Sequence, residues 1–137
     1  MMTNVEIMNL VHQFEACTLP RSQWDHAAHL TVALWYLICF PDAEAVLRIC
    51  QGIQRYNKSQ GIGTTPTGGY HETLTLFWIA IVRQFLAESN PELSLAARAH
   101  ELILKYGERK NLFRESCSLE LIRSPATCQN WAPPDLN

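Results

Sequence analysis

The sequence has almost no stretch in which apolar and polar residues alternate one by one, which is the pattern of a half-buried β-strand. Apolar residues instead recur at intervals of three and four along most of the chain, as they do on the buried face of an α-helix. We therefore predict an all-α fold, in which the whole chain forms one helical domain of about five main helices.

Two further absences limit the partners. No basic run stands out among the eleven Lys and Arg residues, and the net charge is −2, so no nucleic-acid partner is expected. The longest apolar run, Leu30–Phe40, is too short for a membrane span, which needs roughly 20 residues. Thr31 is its only clearly polar residue. The run therefore predicts the buried central helix of a soluble domain, and an apolar helix of this kind also permits a homodimer.

The five cysteines form no CxxC pair, and Cys39 and Cys50 lie in apolar helical stretches. This usage is typical of buried, reduced thiols in a cytosolic protein. The first residues include neither a basic segment nor a small-residue cleavage site, so we expect no signal peptide and a cytoplasmic location.

Capping residues and prolines divide the first half of the chain into three helices. Thr3 and Glu6 have the spacing of a capping box and predict the start of the first. Ser22 is the expected N-cap of the second, which should begin near Gln23 and end before Pro41. Asp42 is the expected cap of the third, which should end at residues 55–57.

The second half begins with a glycine-rich loop, residues 58–69, which is long enough to suggest a binding loop. A fourth helix should follow, with residues 70–72 in its first turns. Asn90-Pro91-Glu92 predicts the start of a fifth. The buried face of this helix should consist of Leu93, Ala96, Ala97, His100, Ile103 and Leu104. Residues 123–137, which contain three prolines, predict an extended tail.

If consecutive helices run antiparallel, the start of the second, the end of the third and the start of the fourth lie at one end of the bundle. The loop covers the same end. Residues that are distant in sequence should therefore converge there; they are Trp24, Asp25, His26, His29, Arg55, Tyr56, Asn57, Tyr70, His71 and Glu72.

A metal site is one hypothesis for these residues. His26, His29 and His71 would bind a divalent metal, most simply zinc, because three imidazoles with one open position are typical of catalytic zinc sites. Asp25 or Glu72 would then move a proton in a metal-assisted hydrolysis. Against this, the HxxH spacing splays the two rings, and Glu72 lies about 100° from His71 around the helix.

Two alternatives need no metal. In one, helix N-termini, histidines and Arg55 bind the carboxylate or phosphate of a small-molecule ligand. Trp24, Tyr56 and Tyr70 would form the walls of that pocket, and Asn57 would lie beside them. In the other, the histidines belong to a buried hydrogen-bond network, and the protein is a non-catalytic interaction module.

Four segments also resemble a family of small bacterial helical proteins that has no assigned activity. They are Trp24-x-His26-x-x-His29-Leu30, Ile53-x-x-Tyr56-Asn57, the GYHETLT segment of residues 69–75, and Trp131-x-x-Pro134-Asp135-Leu136. The resemblance implies a small helical domain whose characteristic residues are those brought together above, joined by Asp135 of the tail. Residues 106–128 depart from the family pattern, which has a Tyr-Ser pair and an Ala-Arg pair before the final Trp. No catalytic role follows from this resemblance.

Overall fold

A computed structural model describes residues 2–62, 72–110 and 112 of the chain. Within these residues the fold is all-α and contains no β-strand, as the sequence predicts. The five helices are α1 (Asn4–Glu15), α2 (His26–Cys39), α3 (Asp42–Ser59), α4 (Glu72–Glu88) and α5 (Leu95–Tyr106), and a 3-10 turn (Arg21–Gln23) precedes α2.

The apolar helix α2 lies at the centre of the bundle and packs against each of the other four helices. All five residues from Leu30 to Leu34 are buried, so this stretch of α2 is surrounded on every side. The hydroxyl of Thr31 donates to the carbonyl oxygen of Ala27 at 2.8 Å, which satisfies a polar group inside this core. The prediction of a buried central helix is therefore confirmed.

Contacts between helix ends show that consecutive helices run antiparallel. Asn4, at the start of α1, contacts Ala96, at the start of α5. At the opposite end, His26, the first residue of α2, contacts Tyr106, the last residue of α5. This end, which also contains the end of α3 and the first described turns of α4, holds the candidate site.

The capping box of α1 is present as predicted, because Thr3 and Glu6 each accept the other's backbone N–H. The predicted start of α2 is wrong by three residues. Residues 21–23 form the separate 3-10 turn. Trp24 follows it with non-helical backbone angles (φ −89°, ψ 67°), which separate the turn from the helix. The N-cap is Asp25 rather than Ser22.

The predicted N-cap of α3 is wrong by one residue, because the N-cap is Pro41 and Asp42 is the first helical residue. The helix continues to Ser59, so residues 58 and 59 are helical rather than part of the predicted loop. Residues 63–69 of that loop, together with Tyr70 and His71, lie outside the described residues. The predicted tail, 123–137, lies outside them as well.

The predicted start of α5 is wrong, and of its predicted buried face only Ala96 is among the buried positions. The side chain of Asn90 accepts the N–H of Glu92 and closes a turn, and the helix begins only after Ser94, its N-cap. Its buried positions are Ala96, Ala99 and Leu102. His100 is exposed, and Leu104 is 72% exposed.

Cys39 is exposed at the last residue of α2, which contradicts its predicted burial, whereas Cys50 is buried and Cys17 is half-buried. In the described part of the chain, no helix combines the length and the apolar character needed to cross a membrane.

Candidate functional site

The site is built on the N-terminus of α2. The carboxylate of Asp25 accepts the N–H of Ala28 at 2.9 Å, and its backbone carbonyl accepts the N–H of His29 at 3.0 Å. These bonds fix His26 as the first helical residue and place His29 one turn later. Asp25 therefore has a definite structural role as a helix cap.

His29 is held by its backbone and by an aromatic neighbour. Its Nδ1–H donates to the carbonyl oxygen of Asp25 at 2.7 Å, and its ring lies 3.9 Å from the indole of Trp24, measured between centroids. Burial lowers the pKa of His29 to about 4; nearby His26 lowers it further, while the bond to the Asp25 carbonyl and the Asp25 charge oppose the shift. The ring is therefore neutral near pH 7.

His26 is held by the C-terminal end of α5. Its Nε2–H donates to the carbonyl oxygen of Tyr106 at 3.1 Å, and its ring meets that of Trp78 edge to face at 4.6 Å. Burial lowers the pKa of His26 and the nearby charge of Lys110 adds to this, while the Tyr106 carbonyl and Asp25 oppose it.

These two hydrogen bonds determine the tautomer of each ring. A carbonyl oxygen can only accept, so the nitrogen that faces it must carry the proton. In the neutral ring, the other nitrogen then has a lone pair: Nε2 of His29 and Nδ1 of His26. Each lone pair can accept a hydrogen bond from a ligand or bind a metal ion.

An aromatic cluster supports this arrangement from below. Trp24 stacks on Phe14 at 4.7 Å and lies 5.3 Å from the ring of Tyr56. The hydroxyl of buried Tyr56 donates to the carbonyl oxygen of Leu19 at 2.8 Å, and burial raises its pKa. The position of Trp24 therefore depends on α1 and α3 as well as on its own segment.

A cavity of about 270 Å³ opens beside the two histidines. Apolar side chains from α2, α3 and α4 form most of its wall: Leu30, Ala33, Ile49, Ile53, Leu74 and Ile79. Trp24 and Trp78 add aromatic faces to it. The polar residues that line it are Asp25, His26, His29, Asn57, Thr75 and Lys110. An apolar cavity with a few converging polar groups is typical of a small-molecule site.

Five of the ten predicted site residues line this cavity: Trp24, Asp25, His26, His29 and Asn57. Tyr56 lies beneath Trp24 and is not part of the described lining. Arg55 is exposed and does not line the cavity either. Glu72 is half-buried in the first described turn of α4, outside the lining, and Tyr70 and His71 lie outside the described residues.

Three polar or aromatic residues of the lining are not among the site residues predicted from the sequence. Trp78 lies on the apolar stripe of α4, and Thr75 lies one turn before it on the same helix. Lys110 follows α5, whose end reaches the cavity because the helices alternate in direction. The alternation was therefore the signal that could have identified Lys110 as a neighbour.

Across residues 2–62, 72–110 and 112, no three His, Cys, Asp or Glu side chains are grouped so that they could hold a metal ion. The predicted triad needs His71, which lies outside these ranges, so the metal site stays a prediction.

No protein-family model, curated protein or solved structure matches this chain. The resemblance to the bacterial helical family therefore stays a prediction, and the function has to be inferred from the site itself.

Proposed function

We propose that this protein binds a small, mainly apolar molecule in the cavity between α2, α3 and α4. The cavity itself is the observation that carries this proposal. Its volume, about 270 Å³, lies just below the range of roughly 300–1,000 Å³ that is usual for drug-sized ligands, so the ligand is small. A hydrocarbon cavity of roughly 150 Å³ is enough for benzene.

The way the polar residues are bonded favours a binding site over a purely structural network. The hydrogen bonds described for Asp25, His26 and His29 run to backbone groups and not from one of these side chains to another. Each side chain is thus oriented by the scaffold while part of its bonding capacity stays available. Such orientation of site residues by their surroundings is expected where a ligand is to be bound.

Filling the cavity tests the proposal. Ala33 lines it and is 6% exposed, so Ala33→Leu places extra side-chain volume there. Ala80→Leu is the matched control, because Ala80 lies on α4 outside the described lining. Binding of toluene, followed by NMR shift changes of the two lining tryptophans, should occur in the parent and in Ala80→Leu and be lost in Ala33→Leu. Equal binding by both variants, or none by the parent, contradicts the proposal.

The tautomers of the two histidines also favour a second candidate, a metal-dependent hydrolase. A metal-ligating histidine usually donates its other ring N–H to a carboxylate or a backbone carbonyl, and His26 and His29 both do so. With His71 they would hold a divalent metal such as zinc, which supplies a Lewis acid and an activated water. Asp25 and Glu72 are the candidates for moving a proton.

Elemental analysis of protein purified without a chelator tests this second candidate. We expect about one equivalent of metal in the parent, and its loss in His71→Ala while the helical circular-dichroism signal is kept. Protein that contains no metal, and that takes up none when zinc is added, contradicts the metal hypothesis. This result leaves the small-molecule proposal standing.

A further inference from the structure

The hydrogen-bonding capacity of the cavity is unbalanced. Both imidazoles use their single N–H on a backbone carbonyl, so toward a ligand each can only accept. The carboxylate of Asp25 can only accept as well, and one of its oxygens is already bonded to the N–H of Ala28. Asn57 and Thr75 each offer both a donor and an acceptor.

The faces of the two lining tryptophans have the same preference, although each indole also carries one N–H donor. Trp24 and Trp78 both line the cavity, and the face of an indole carries partial negative charge. Such faces attract N–H groups and cations and are poor neighbours for anions. Lys110 is the one cation in the described lining, and its residue is exposed, so water solvates it.

An anionic head group would meet no donor from either histidine. Removing a carboxylate from water is costly unless several donors replace its hydration shell. A hydroxyl or an amine, by contrast, finds acceptors at His29, His26 and Asp25.

We propose that the ligand carries a hydrogen-bond-donating head group, a hydroxyl or an amine, on a small apolar body. The proposal deepens the proposed function and rests on it. It excludes the carboxylate or phosphate ligand that is one of the alternatives predicted from the sequence, because neither histidine has an N–H left to donate to an anion.

Four probes of nearly the same shape test the inference: toluene, benzyl alcohol, benzylamine and benzoate. Dissociation constants are measured by NMR titration of the full chain near neutral pH, with a chelator present to remove metals. We expect benzyl alcohol or benzylamine to bind about tenfold more tightly than benzoate, which is the effect of about one satisfied hydrogen bond. The comparison of these two probes shows whether the head group is neutral or cationic.

A pair of variants tests whether His29 causes the preference for a donating head group. His29→Asn keeps a donor to the Asp25 carbonyl at the place of Nδ1 and removes the acceptor at Nε2. His29→Gln is the matched control, because its longer amide restores an acceptor near Nε2. We expect His29→Asn to bring benzyl alcohol close to toluene in affinity, with toluene unchanged, and His29→Gln to keep part of the preference.

The outcomes separate the two proposals. If toluene binds and Ala33→Leu abolishes its binding, but benzoate is the tightest probe or all head groups bind equally, the donor inference is wrong and the proposed function survives. Tight benzoate binding that Lys110→Gln removes would assign the site to anions. If none of the four probes binds the parent, both proposals fail. Should either His29 variant not fold, the order of the four probes on the parent still decides.

Discussion

The imidazole of His26 donates from Nε2 to the carbonyl oxygen of Tyr106, 3.1 Å away, and so joins the first residue of α2 to the last residue of α5. The carbonyls in the last turn of a helix have no partner within that helix. A side chain 80 residues away in sequence satisfies one of them here. The same bond fixes the tautomer of a cavity residue, so the stability of the bundle and the chemistry of the site depend on one contact.

Replacing His26 tests this dual role. His26→Leu removes one of two donors to the Tyr106 carbonyl, which also accepts the N–H of Arg109 at 2.9 Å, and should lower the free energy of unfolding by about 0.5–1.5 kcal/mol. His26→Gln should lose less, because its amide N–H can reach the same oxygen. Urea unfolding followed by circular dichroism measures both. Equal stability of the two variants would show that the bond contributes nothing.

The lowered pKa of His29 predicts that acid weakens the fold. The unfolded chain takes up a proton near the ordinary pKa of 6.5, whereas the folded ring does so only near 4. Between these values the unfolded state binds more protons, so the free energy of unfolding falls as the pH is lowered from 6.5 to 4, by up to about 3 kcal/mol. His26 should contribute in the same direction, since its pKa is lowered too. Urea unfolding at a series of pH values measures this. In His29→Asn the free energy of unfolding should fall less steeply between pH 6.5 and 4 than in the parent. An equally steep fall would show that His29 is not the cause of the acid sensitivity.

Asp25 and Ser94 are matched N-caps, because each accepts the N–H of the third residue after it. Asp25→Ala and Ser94→Ala should each lower the free energy of unfolding by about 1 kcal/mol. Asp25 also lines the cavity, whereas Ser94 lies at the start of α5, so only Asp25→Ala should change the affinity for benzyl alcohol. Asp25→Ser separates the two effects, since it restores the cap without the carboxylate. If Ser94→Ala weakened binding equally, the effect would be one of stability alone.

Gly52 lies where the ring of Phe14 packs directly on the backbone of α3. A Cβ at this position would lie 2.8 Å from Cε2 of Phe14, so Gly52→Ala must displace the ring. Alanine is normally favoured over glycine inside a helix by about 0.5–1 kcal/mol. Here we expect a net loss of stability of about 1–2 kcal/mol, because overpacking outweighs that gain. The tryptophan emission should also change, since Phe14 stacks on Trp24.

Phe14→Leu provides the control for Gly52→Ala, because it removes the ring that the new methyl group meets. The double variant should lose less free energy of unfolding than the sum of the losses in the two single variants, as expected for residues in contact. Simple additivity would show that the close approach does not limit this position.

Cys17 is a non-glycine residue in the left-handed region, with φ 60°, directly after the C-cap of α1. A side chain at such a position is strained by about 1–2 kcal/mol. Cys17→Gly should therefore raise the free energy of unfolding by about 1 kcal/mol, although it gives up the long 3.9 Å contact of the thiol with the Arg55 carbonyl. Cys17→Ala keeps the strain and should show no gain. An equal gain in the free energy of unfolding in both variants would show that removal of the thiol, and not relief of backbone strain, is the cause.

Strong local signals made most of the fold predictable. The Thr3/Glu6 capping box, the apolar run after His29 and the break at Pro41 each have one physical explanation, and the structure follows all three. The errors arose where the sequence allows two explanations. Asn90-Pro91 suits a helix start and a turn equally well, and the apolar residues of α5 fit two overlapping stripes of which tertiary packing selects one.

The candidate site was predictable only as far as helix direction determines it. Alternating helices bring Asp25, His26, His29 and Asn57 to one end of the bundle. The sequence does not show which ring nitrogen of His26 faces a carbonyl. Its partner is the backbone oxygen of Tyr106, and every residue type has such an oxygen, so no sequence signal marks this contact. The donor and acceptor character of the cavity follows from the three-dimensional structure alone.

The link between Asn4 and Ala96 has a consequence for biosynthesis. The side chain of Asn4 accepts a hydrogen bond from the N–H of Ala96 at 2.7 Å, across 92 positions of sequence. During synthesis, the starts of α1 and α5 can therefore come into contact only after residue 96 has left the ribosomal exit tunnel. During this interval the part of α1 that packs on α5 stays uncovered, so the nascent chain keeps a surface that chaperones can bind until its C-terminal half has emerged.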